Sequence, residues 1–331
     1  MYLDDATRYL PRAIATRAVF SIDSELFTWA DVVRAAEARG SWQALIATVN
    51  AGIVADAHAL SADCGPTPEE VVAATKKFRY DRNLIAGEDL LKWLTIWGVS
   101  VLDWETSLRR AFSRKRFLNE LNAWLCLSPA DDAAIVAATW PEAVCSGFIE
   151  RASRQLGADL ALALGNGRTA IGHTRADFQL IHAAADAARS DAQKSEALER
   201  EVASHRLEWT GLRGWRLELI DEDLAKEVAM CVRNDGSSLA DVARVCGTAA
   251  EQINVLLTDV EVGLSSQTLA AREGDLIGPL RLSEKWVLMA VERKAPPTLD
   301  DPLVLQRARE RIIRGVEERA IKLCVTWHES F

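Results

Sequence analysis

The chain has 331 residues, of which 49% are hydrophobic and 26% are charged, and its formal net charge is −9 at pH 7. This length exceeds what a single core usually holds, and the composition is that of a globular protein rather than a disordered or fibrous one. The excess of acidic residues argues against general affinity for phosphate backbones, which requires clustered Lys and Arg, so we predict no nucleic-acid partner.

The sequence carries no sign of export or of membrane insertion. Residues 1–5 include two aspartates and no basic patch ahead of an apolar stretch, so no secretory signal is predicted. No run of about 18 uninterrupted apolar residues is present. The six cysteines are scattered without a CxxC pair, which is typical of reduced thiols. We therefore predict a cytoplasmic location and no membrane partner.

Residues 17–29 predict a short β-hairpin that turns at residues 23–25. Thr28 then occupies the N-cap position of a helix that ends at Gly40. Further helical patterns cover residues 42–54, a segment beginning at Pro68, residues 86–97, residues 101–125 and a segment beginning at Pro129. Residues 1–128 are therefore predicted to form a helical domain.

Residues 129–206 give the weakest structural signal in the chain. Helical patterns at residues 148–164 and 176–200 are separated by the turn sequence Gly-Asn-Gly at residues 165–167. Residues 187–204 are rich in alanine and charge, which fits either an exposed helix or a linker. We predict a helical middle region that ends at a soft domain boundary.

Beyond residue 206 the periodicity changes from that of a helix to that of a strand. Trp215, Leu217 and Leu219 occupy alternate positions of residues 215–220, which predicts a strand with these three side chains on one face. Asp221 follows in the N-cap position of a helix. This region is therefore predicted to form a separate βα domain.

The remaining elements follow from capping and breaking residues. A helix is predicted over residues 222–232, a short second helix begins at Ser237, and a strand covers residues 285–291 before two consecutive prolines. Thr298 then precedes a long amphipathic helix over residues 300–323. The last residues, 324–327, are predicted to return to a strand.

The order of elements over residues 215–291 resembles that of parvulin-type peptidyl-prolyl isomerases. The strongest local match is AAREGDLIGPL at residues 270–280, which resembles the family stretch that precedes its last strands. In it, Gly274 permits a tight reversal, and Gly278-Pro279 allows an edge strand to begin without a backbone donor. The resemblance implies a parvulin-like domain.

The chain as a whole resembles the SurA-type chaperone plan, in which N-terminal helices and a helix after the isomerase domain pack together. This implies an α+β, mostly α fold in which the SurA-like helical domain has an inserted parvulin-like βα domain. Its parts are residues 1–128, the middle region 129–206, the parvulin-like domain 207–297 and a C-terminal helix and strand, 298–331, that return to the N-terminal domain. Trp327 is expected to pair beside the hairpin.

The chain departs from the parvulin family at the residues that the family uses. Leu217 stands where the first strand of the family has a histidine, and Lys-Trp-Val at residues 285–287 replaces the Gly-Tyr-His-type run of the last strand. Leu269 replaces the aromatic floor of the proline pocket. Asp259 and Cys246 match the central Asp or Cys by position only. Isomerisation must overcome a barrier of about 20 kcal/mol, and a pocket without the two histidines and the aromatic floor is not expected to lower it. We therefore predict a retained fold without normal isomerase activity.

Three tryptophans of the N-terminal domain allow two interpretations. Trp93, Trp97 and Trp104 recur at spacings of four and seven, as on one face of a helix. They are either core residues or part of an aromatic groove that receives a peptide. The neighbouring basic residues, including Arg110 and Arg114, are then either a solvated face or a patch that steers an acidic peptide.

Metal, cofactor and DNA sites are not indicated. The five histidines never lie within three or four residues of one another, and no HExxH motif is present, so we predict no metal site and no cofactor. Residues 237–257 have the spacing of a helix-turn-helix. The segment that would read DNA, residues 248–257, has no Lys or Arg to reach bases or phosphates.

Two functions from different classes remain. One is a non-catalytic, chaperone-like protein that holds an unfolded polypeptide or a ribosomal precursor peptide, since a parvulin-related branch associated with peptide maturation has a similar plan and lacks the same histidines. The predicted peptide-binding residues are Leu217, Leu269, Trp286, Trp93, Trp97, Trp104, Arg110 and Arg114. The other is an enzyme acting on peptides, either a residual prolyl isomerase that uses Asp259 or Cys246 or a repurposed peptide-modifying enzyme. The missing histidines favour the first.

Overall fold

The computed structural model of the protein describes residues 8–165, 167 and 172–328. Residues 1–5, on which the export prediction rests, and part of the Gly-Asn-Gly turn lie outside the described residues. The chain divides into two compact units: unit 1 is Met1–Ala188 with Glu317–Phe331, and unit 2 is Arg189–Val316. Unit 2 is thus one continuous segment, whereas unit 1 is assembled from both ends of the chain. The finer four-part division of the chain stays a prediction.

The described residues form an α+β fold that is mostly α, as predicted. From the N-terminus the elements are α1 (Arg12–Ala15), β1 (Ala18–Ile22), β2 (Glu25–Thr28), α2 (Trp29–Arg39), α3 (Ser41–Ser61), α4 (Pro68–Asp81), α5 (Gly87–Trp97), α6 (Val101–Arg116), α7 (Leu121–Leu127), α8 (Asp132–Cys145), α9 (Phe148–Gly165) and α10 (Arg175–Ala192). They continue with α11 (Ser195–Ser204), β3 (Gly211–Leu219), α12 (Glu222–Asp235), α13 (Leu239–Val245), β4 (Glu251–Leu256), α14 (Val262–Ala270), β5 (Leu276–Leu282), β6 (Lys285–Ala295), α15 (Pro302–Cys324) and β7 (Val325–Trp327).

The predicted cap at Thr28 is present and explains where α2 begins. The Thr28 hydroxyl accepts a hydrogen bond from the Asp31 backbone N–H, and the Asp31 carboxylate accepts one from the Thr28 backbone N–H at 2.8 Å. At the other end, Gly40 adopts a φ of 84°, which a residue with a Cβ rarely adopts. Local sequence signals therefore separate α2 from α3.

Helix α3 is the one helix among the described residues that is long and apolar enough to cross a membrane, with 21 residues and a mean hydropathy of 1.3. A search for uninterrupted apolar runs does not identify it, because polar residues such as Asp56 interrupt the run. In the structure α3 packs against α6 and α8. The Asp56 carboxylate accepts a bidentate hydrogen-bond pair from the Arg109 guanidinium at 2.8 and 2.9 Å. This ion pair joins the buried Asp56 to the partly exposed Arg109 of α6, and the buried residues of α3 make it a core helix of unit 1: Trp42, Leu45, Val49, Val54, Ala55 and Ala59.

A small antiparallel sheet in unit 1 has the strand order β2-β1-β7. The hairpin of β1 and β2 pairs Phe20 with Phe27, and β7 adds on the other side of β1, where Phe20 faces Trp327. The rings of Phe20 and Trp327 meet edge to face, with centroids 5.2 Å apart. The predicted pairing of Trp327 beside the hairpin is confirmed.

Unit 2 is built on a four-stranded antiparallel sheet with the order β4-β3-β6-β5. One face carries Trp215, Leu217 and Leu219, which pack with buried residues of α12 and α13. The prediction that these three share a face is confirmed. We call this the helix-covered face. The other face, which we call the α14 face, carries apolar residues of β3, β5 and β6 that pack with Leu264 of α14.

Strand β4 is not among the elements that the sequence predicts. Its inward residues Ile253 and Val255 are only partly buried and alternate with exposed polar residues, so its period-two signal is short and weak. The strand lies in the segment that would be the second helix of a helix-turn-helix. Since residues 251–256 form an edge strand paired with β3, that DNA-binding motif is absent.

Candidate functional site

An open groove of about 890 Å³ runs along the edge strand β5 in unit 2, and we call it the β5 groove. Its walls are the C-terminal ends of α12 and α14, and its floor is the segment 274–280. This volume is within the range of binding pockets, about 300 to 1,000 Å³. The predicted edge strand at Gly278-Pro279 therefore forms the floor of this groove.

Glycines and alanines give the β5 groove a surface of accessible backbone. Gly274 and Gly278 have φ values of 88° and 96°, a region that favours glycine. A Cβ at Gly278 would lie 2.4 Å from the carbonyl oxygen of Val287, so no larger residue fits there. Ala270 and Ala271 at the end of α14 leave the adjacent wall equally small. The groove can therefore present main-chain groups to a ligand.

Arg233 is the cationic side chain of the β5 groove. It lies in the last turn of α12 and donates hydrogen bonds to the carbonyl oxygens of Leu276, at 3.4 Å, and of Gly278. The strand edge is thus covered by a movable side chain rather than by another strand. A ligand along this edge would either replace Arg233 on these carbonyls or bind its guanidinium.

The structure separates the three predicted pocket residues of unit 2. Leu217, 1% exposed, and Trp286 pack in the helix-covered cluster of the sheet. Leu269 is on α14 and is 56% exposed. None of the three lines the β5 groove. Leu217 lies on the helix-covered face, whereas its neighbours in the strand point to the α14 face, so a peptide-binding role for Leu217 stays a prediction.

The α14 face carries a charged network formed by side chains of β3 and residues beyond the sheet. Arg216 lies opposite Met289 and Glu218 opposite Val287 in the ladder of β3 and β6. The Arg216 Nη2 lies 2.9 Å from a Glu218 oxygen and 2.8 Å from a Glu261 oxygen. Alternation with the apolar residues 215, 217 and 219 was the signal that could have identified Arg216 and Glu218.

The ion pairs of this network shift the pKa values of Arg216 and Glu218. Burial would lower the pKa of Arg216, but the carboxylates of Glu261 and Glu218 outweigh it and raise that pKa. A hydrogen bond from Lys285, 2.6 Å from Glu218, lowers the pKa of the Glu218 carboxyl. Both shifts favour the charged forms of Arg216 and Glu218, which suits electrostatic positioning rather than proton transfer near neutral pH.

The candidate catalytic residues are not brought together at the β5 groove. Asp259 accepts two hydrogen bonds from Arg307, at 2.6 and 2.8 Å. Cys246 is exposed at the C-cap of α13. His205, the one histidine of unit 2, stacks on the Trp209 ring at 4.7 Å. Unit 2 therefore supplies no histidine to the groove.

The three predicted tryptophans of unit 1 lie in its core. Trp97 and Trp104 are each 4% exposed, and the Trp97 carbonyl accepts a hydrogen bond from the Trp140 indole N–H at 2.8 Å. Trp93 is partly buried, with its ring edge-on to Phe78 at 5.5 Å. Of the two interpretations, the geometry favours packing over an exposed aromatic groove.

The basic run of α6 is turned toward acids of neighbouring helices. The Arg114 Nη1 lies 3.5 Å from Glu142 of α8. Burial raises the pKa of the Glu142 carboxyl, although Arg114 and Arg110 oppose this, and burial also lowers the pKa of Arg110. Arg114 thus pairs with a buried carboxylate, and a role of Arg110 and Arg114 in steering an acidic peptide stays a prediction.

No group of three or more His, Cys, Asp or Glu side chains that could hold a metal ion occurs among the described residues. No protein-family model matches the chain, and no curated protein matches it.

Among solved structures, the chain is similar to bacterial foldases and chaperones at low identity. The foldase protein PrsA from Streptococcus pneumoniae is 11% identical with a TM-score of 0.30, and 93% of each chain is covered. PrsA from Lactococcus lactis is 9% identical with a TM-score of 0.32, over 95% of this chain and 96% of that one. One of the SurA-like chaperones PEB4 and Cj1289 from Campylobacter jejuni is 9% identical with a TM-score of 0.21, over 95% of this chain and all of that one. At these scores the proposals below rest on this chain's own residues.

Proposed function

We propose that the protein is a non-catalytic, chaperone-like binder that holds an extended segment of an unfolded polypeptide in the β5 groove. One observation carries the proposal: the groove combines the accessible backbone of residues 274–280 with the adjustable side chain of Arg233. Main-chain recognition along a strand edge accepts many sequences, because every peptide offers the same donors and acceptors. A chaperone that binds unfolded polypeptides needs this tolerance for different client sequences.

Apolar and polar wall residues add selectivity to main-chain binding. Val232, Ile277 and Leu280 line the groove with apolar atoms, and Gln267 offers both a donor and an acceptor. Alternate side chains of an extended peptide point to opposite sides, so one set would contact these walls. We therefore expect a preference for segments with apolar residues at alternate positions.

Prolyl isomerisation is not part of the proposed function. The α14 face carries Glu218 opposite Val287 and Arg216 opposite Met289, and no histidine lines the groove. The enzyme alternative with Asp259 or Cys246 loses support, since Asp259 is held by Arg307 and neither residue lines the groove.

The client class that we propose is an unfolded polypeptide or a ribosomally made precursor peptide in the cytoplasm. All six cysteines are free thiols, which supports a reducing compartment.

Binding is tested with a fluorescein-labelled, permanently unfolded polypeptide, reduced carboxymethylated lactalbumin, by anisotropy. Ala270→Trp fills the groove and is expected to weaken binding roughly tenfold, since one blocked contact region commonly costs more than 1 kcal/mol. Ser266→Trp is the matched control, because Ser266 is exposed on the same helix but does not line the groove. Equal affinities of the two variants would exclude this groove.

Catalysis is tested separately with a protease-coupled assay on a proline tetrapeptide. The uncatalysed reaction takes about 10 to 100 s, and the protein is expected to leave that rate unchanged. Clear acceleration would overturn the non-catalytic part of the proposal while leaving the binding part intact.

A further inference from the structure

The solvent-facing side of α4 in unit 1 is an apolar surface that the rest of the fold does not cover. Phe78 is the one buried residue of this 14-residue helix. Val72 is 66% exposed, Tyr80 is 60% exposed, and Ile85 in the following loop is 56% exposed. A groove of about 390 Å³ lies along them, and we call it the α4 groove. Clustered exposure of this kind marks an interaction site more often than isolated apolar residues do.

The α4 groove is formed before any ligand arrives, because other contacts fix its walls. On its inner side, Phe78 packs edge to face against Trp93 and Trp104, with centroids 5.5 and 5.7 Å apart. At the far end, Arg79 donates hydrogen bonds to the backbone carbonyls of Leu84, at 3.0 Å, and of Ile85. A pre-formed groove keeps the entropy cost of binding low.

The charge of the α4 groove is opposite to that of the chain. Its charged lining residues are Lys76 and Arg79, and no acid lines it, although the chain as a whole carries −9. The Lys76 ammonium lies 5.8 Å from the centre of the Tyr80 ring. An apolar floor with cationic edges complements a ligand that is both apolar and acidic.

The spacing of the lining residues fits a helical ligand. Two rows of side chains recur every four residues along α4. One row runs from Val71 to Arg79, and the other runs from Val72 to Tyr80. Such rows are the ridges between which a second helix packs its own side chains. They extend over about 12 Å, two helical turns, which accommodates apolar residues at positions i, i+3, i+4 and i+7.

We infer that the α4 groove binds an amphipathic helix of a partner polypeptide that carries Asp or Glu beside its apolar face. This site lies in unit 1 and takes a helical, acidic ligand, whereas the β5 groove lies in unit 2 and takes an extended one. The inference therefore does not depend on the proposed function.

The test uses fluorescence anisotropy with the full chain and a labelled synthetic peptide of about 18 residues, long enough to form a helix. The peptide has Leu at i, i+3, i+4 and i+7 and Glu on its polar face. Two comparison peptides are a scrambled version of the same composition and a version with Lys in place of Glu. Both are expected to bind at least roughly tenfold more weakly than the acidic helix.

Variants of the chain locate the binding. Val72→Ser and Lys76→Glu are each expected to reduce the affinity for the acidic helix roughly tenfold. Both positions are on the surface, so the helical circular dichroism of the chain should be kept. Lys77→Glu is the matched control: Lys77 adjoins Lys76, pairs with Asp81 at 2.8 Å and lies outside the groove, so this variant should bind normally.

Four results would overturn the inference. Equal losses for Lys76→Glu and Lys77→Glu would mean general electrostatic attraction. Unchanged affinity of Val72→Ser would exclude the groove, and equal binding of the scrambled peptide would exclude a helical ligand. A dimer in sedimentation velocity that Val72→Ser converts to a monomer would assign the groove to a second copy of this chain. Loss of lactalbumin binding in Ala270→Trp bears on the β5 groove alone, so the two proposals fail independently.

Discussion

Gly214 lies opposite Val291 in the ladder of β3 and β6, beside a shift in register. A Cβ at this position would lie 1.9 Å from the carbonyl oxygen of Ala290, a backbone atom that cannot rotate away. Gly214→Ala is therefore expected to lower the free energy of unfolding of unit 2 by at least about 2 kcal/mol, measured by urea denaturation.

Gly211 in the same strand provides the matched control for this substitution. A Cβ there would meet nothing closer than 3.8 Å, which is ordinary van der Waals contact. Gly211→Ala should change the free energy of unfolding by less than about 0.5 kcal/mol. Equal effects of the two substitutions would mean that the close approach at Gly214 is not a constraint.

His173 links the hairpin of unit 1 to α2. Its Nε2 lies 3.0 Å from Glu25, its Nδ1 lies 3.0 Å from Asp31, and its ring stacks on Phe27 at 5.1 Å. Burial would lower the pKa of His173, but the two carboxylates outweigh it and raise that pKa above its ordinary value. Arg34 also pairs with Asp31, so it limits this attraction.

This raised pKa predicts that unit 1 loses stability as the pH rises through the folded pKa of His173. The contribution of His173 is fully present below its unfolded pKa of about 6.5, and it is lost as the pH rises through the higher folded pKa. The melting temperature of the wild type should exceed that of His173→Gln at low pH, and the difference should shrink as the pH rises through that window. A Glu25→Gln variant should show a weaker pH dependence. Parallel curves for wild type and His173→Gln would contradict the prediction.

Leu217 illustrates how far single residues of the site could be predicted. Period two correctly placed it with Trp215 and Leu219 on one face. The family resemblance then assigned it the role of a ligand-facing histidine, although that face is closed by helices. Because a shift of one residue moves a side chain to the opposite face, Arg216 and Glu218 are the residues that share a face with Val287.

At the scale of elements, β7 holds the C-terminal end of the chain in the core of unit 1. Trp327 packs against Phe20, and its ring fits over Gly157, where an added Cβ would lie 3.3 Å from the indole. Trp327→Ala is expected to lower the free energy of unfolding by about 2 kcal/mol, less than for a fully buried tryptophan because Trp327 is partly exposed.

The matched control for this element is Thr326→Ala, which changes an exposed neighbour in the same strand. Its effect should stay within about 0.5 kcal/mol in the same circular dichroism melts. A small effect of Trp327→Ala would mean that β7 does not stabilise unit 1.

Elements with their own start signals were predictable, and those that depend on distant partners were not. The N-cap at Thr28 lies within three residues of its partner, so the beginning of α2 could be read locally. Arg109 pairs with Asp56 across 53 residues of sequence, so nothing local indicates that this arginine of the basic run pairs with a buried carboxylate. β4 has too few buried positions to give a signal, and its pairing with β3 determines it.

At the scale of the whole molecule, the six thiols report on the integrity of both units. Cys126 and Cys246 are exposed, whereas Cys145 is buried and burial raises its pKa to about 12. Because the thiolate is the reactive form, these two exposed cysteines should react first with a disulfide reagent, and Cys145 should react only on unfolding.

The experiment counts thiols without reductant, before and after denaturation. The double variant Cys126→Ser/Cys246→Ser should lack the fast phase of the reaction with the disulfide reagent. In the unfolded wild type all six thiols should react. Fewer than six reactive thiols per unfolded chain would reveal a disulfide and would contradict the proposed reducing location.

The division into two units falls within residues 187–204, the alanine-rich, charged segment in which the sequence predicts a soft domain boundary. The boundary between residues 188 and 189 falls inside α10 and not at a linker. Of the two alternatives for residues 187–204, an exposed helix or a linker, the structure has helices, α10 to Ala192 and α11 from Ser195. The return of the C-terminal strand to the hairpin came from the resemblance to the SurA-type plan, since no local signal pairs residues so far apart.

That return has a consequence for how the protein is made. Phe20 and Trp327 are adjacent in one sheet, and the ribosome adds all the residues between them before the pair can form. At about 5 to 20 residues per second, β1 waits roughly 15 to 60 s for β7 during synthesis. Every residue of unit 2 has been added by then. On a translating ribosome, the nascent hairpin of β1 and β2 therefore keeps one edge open at least until residue 327 has been added.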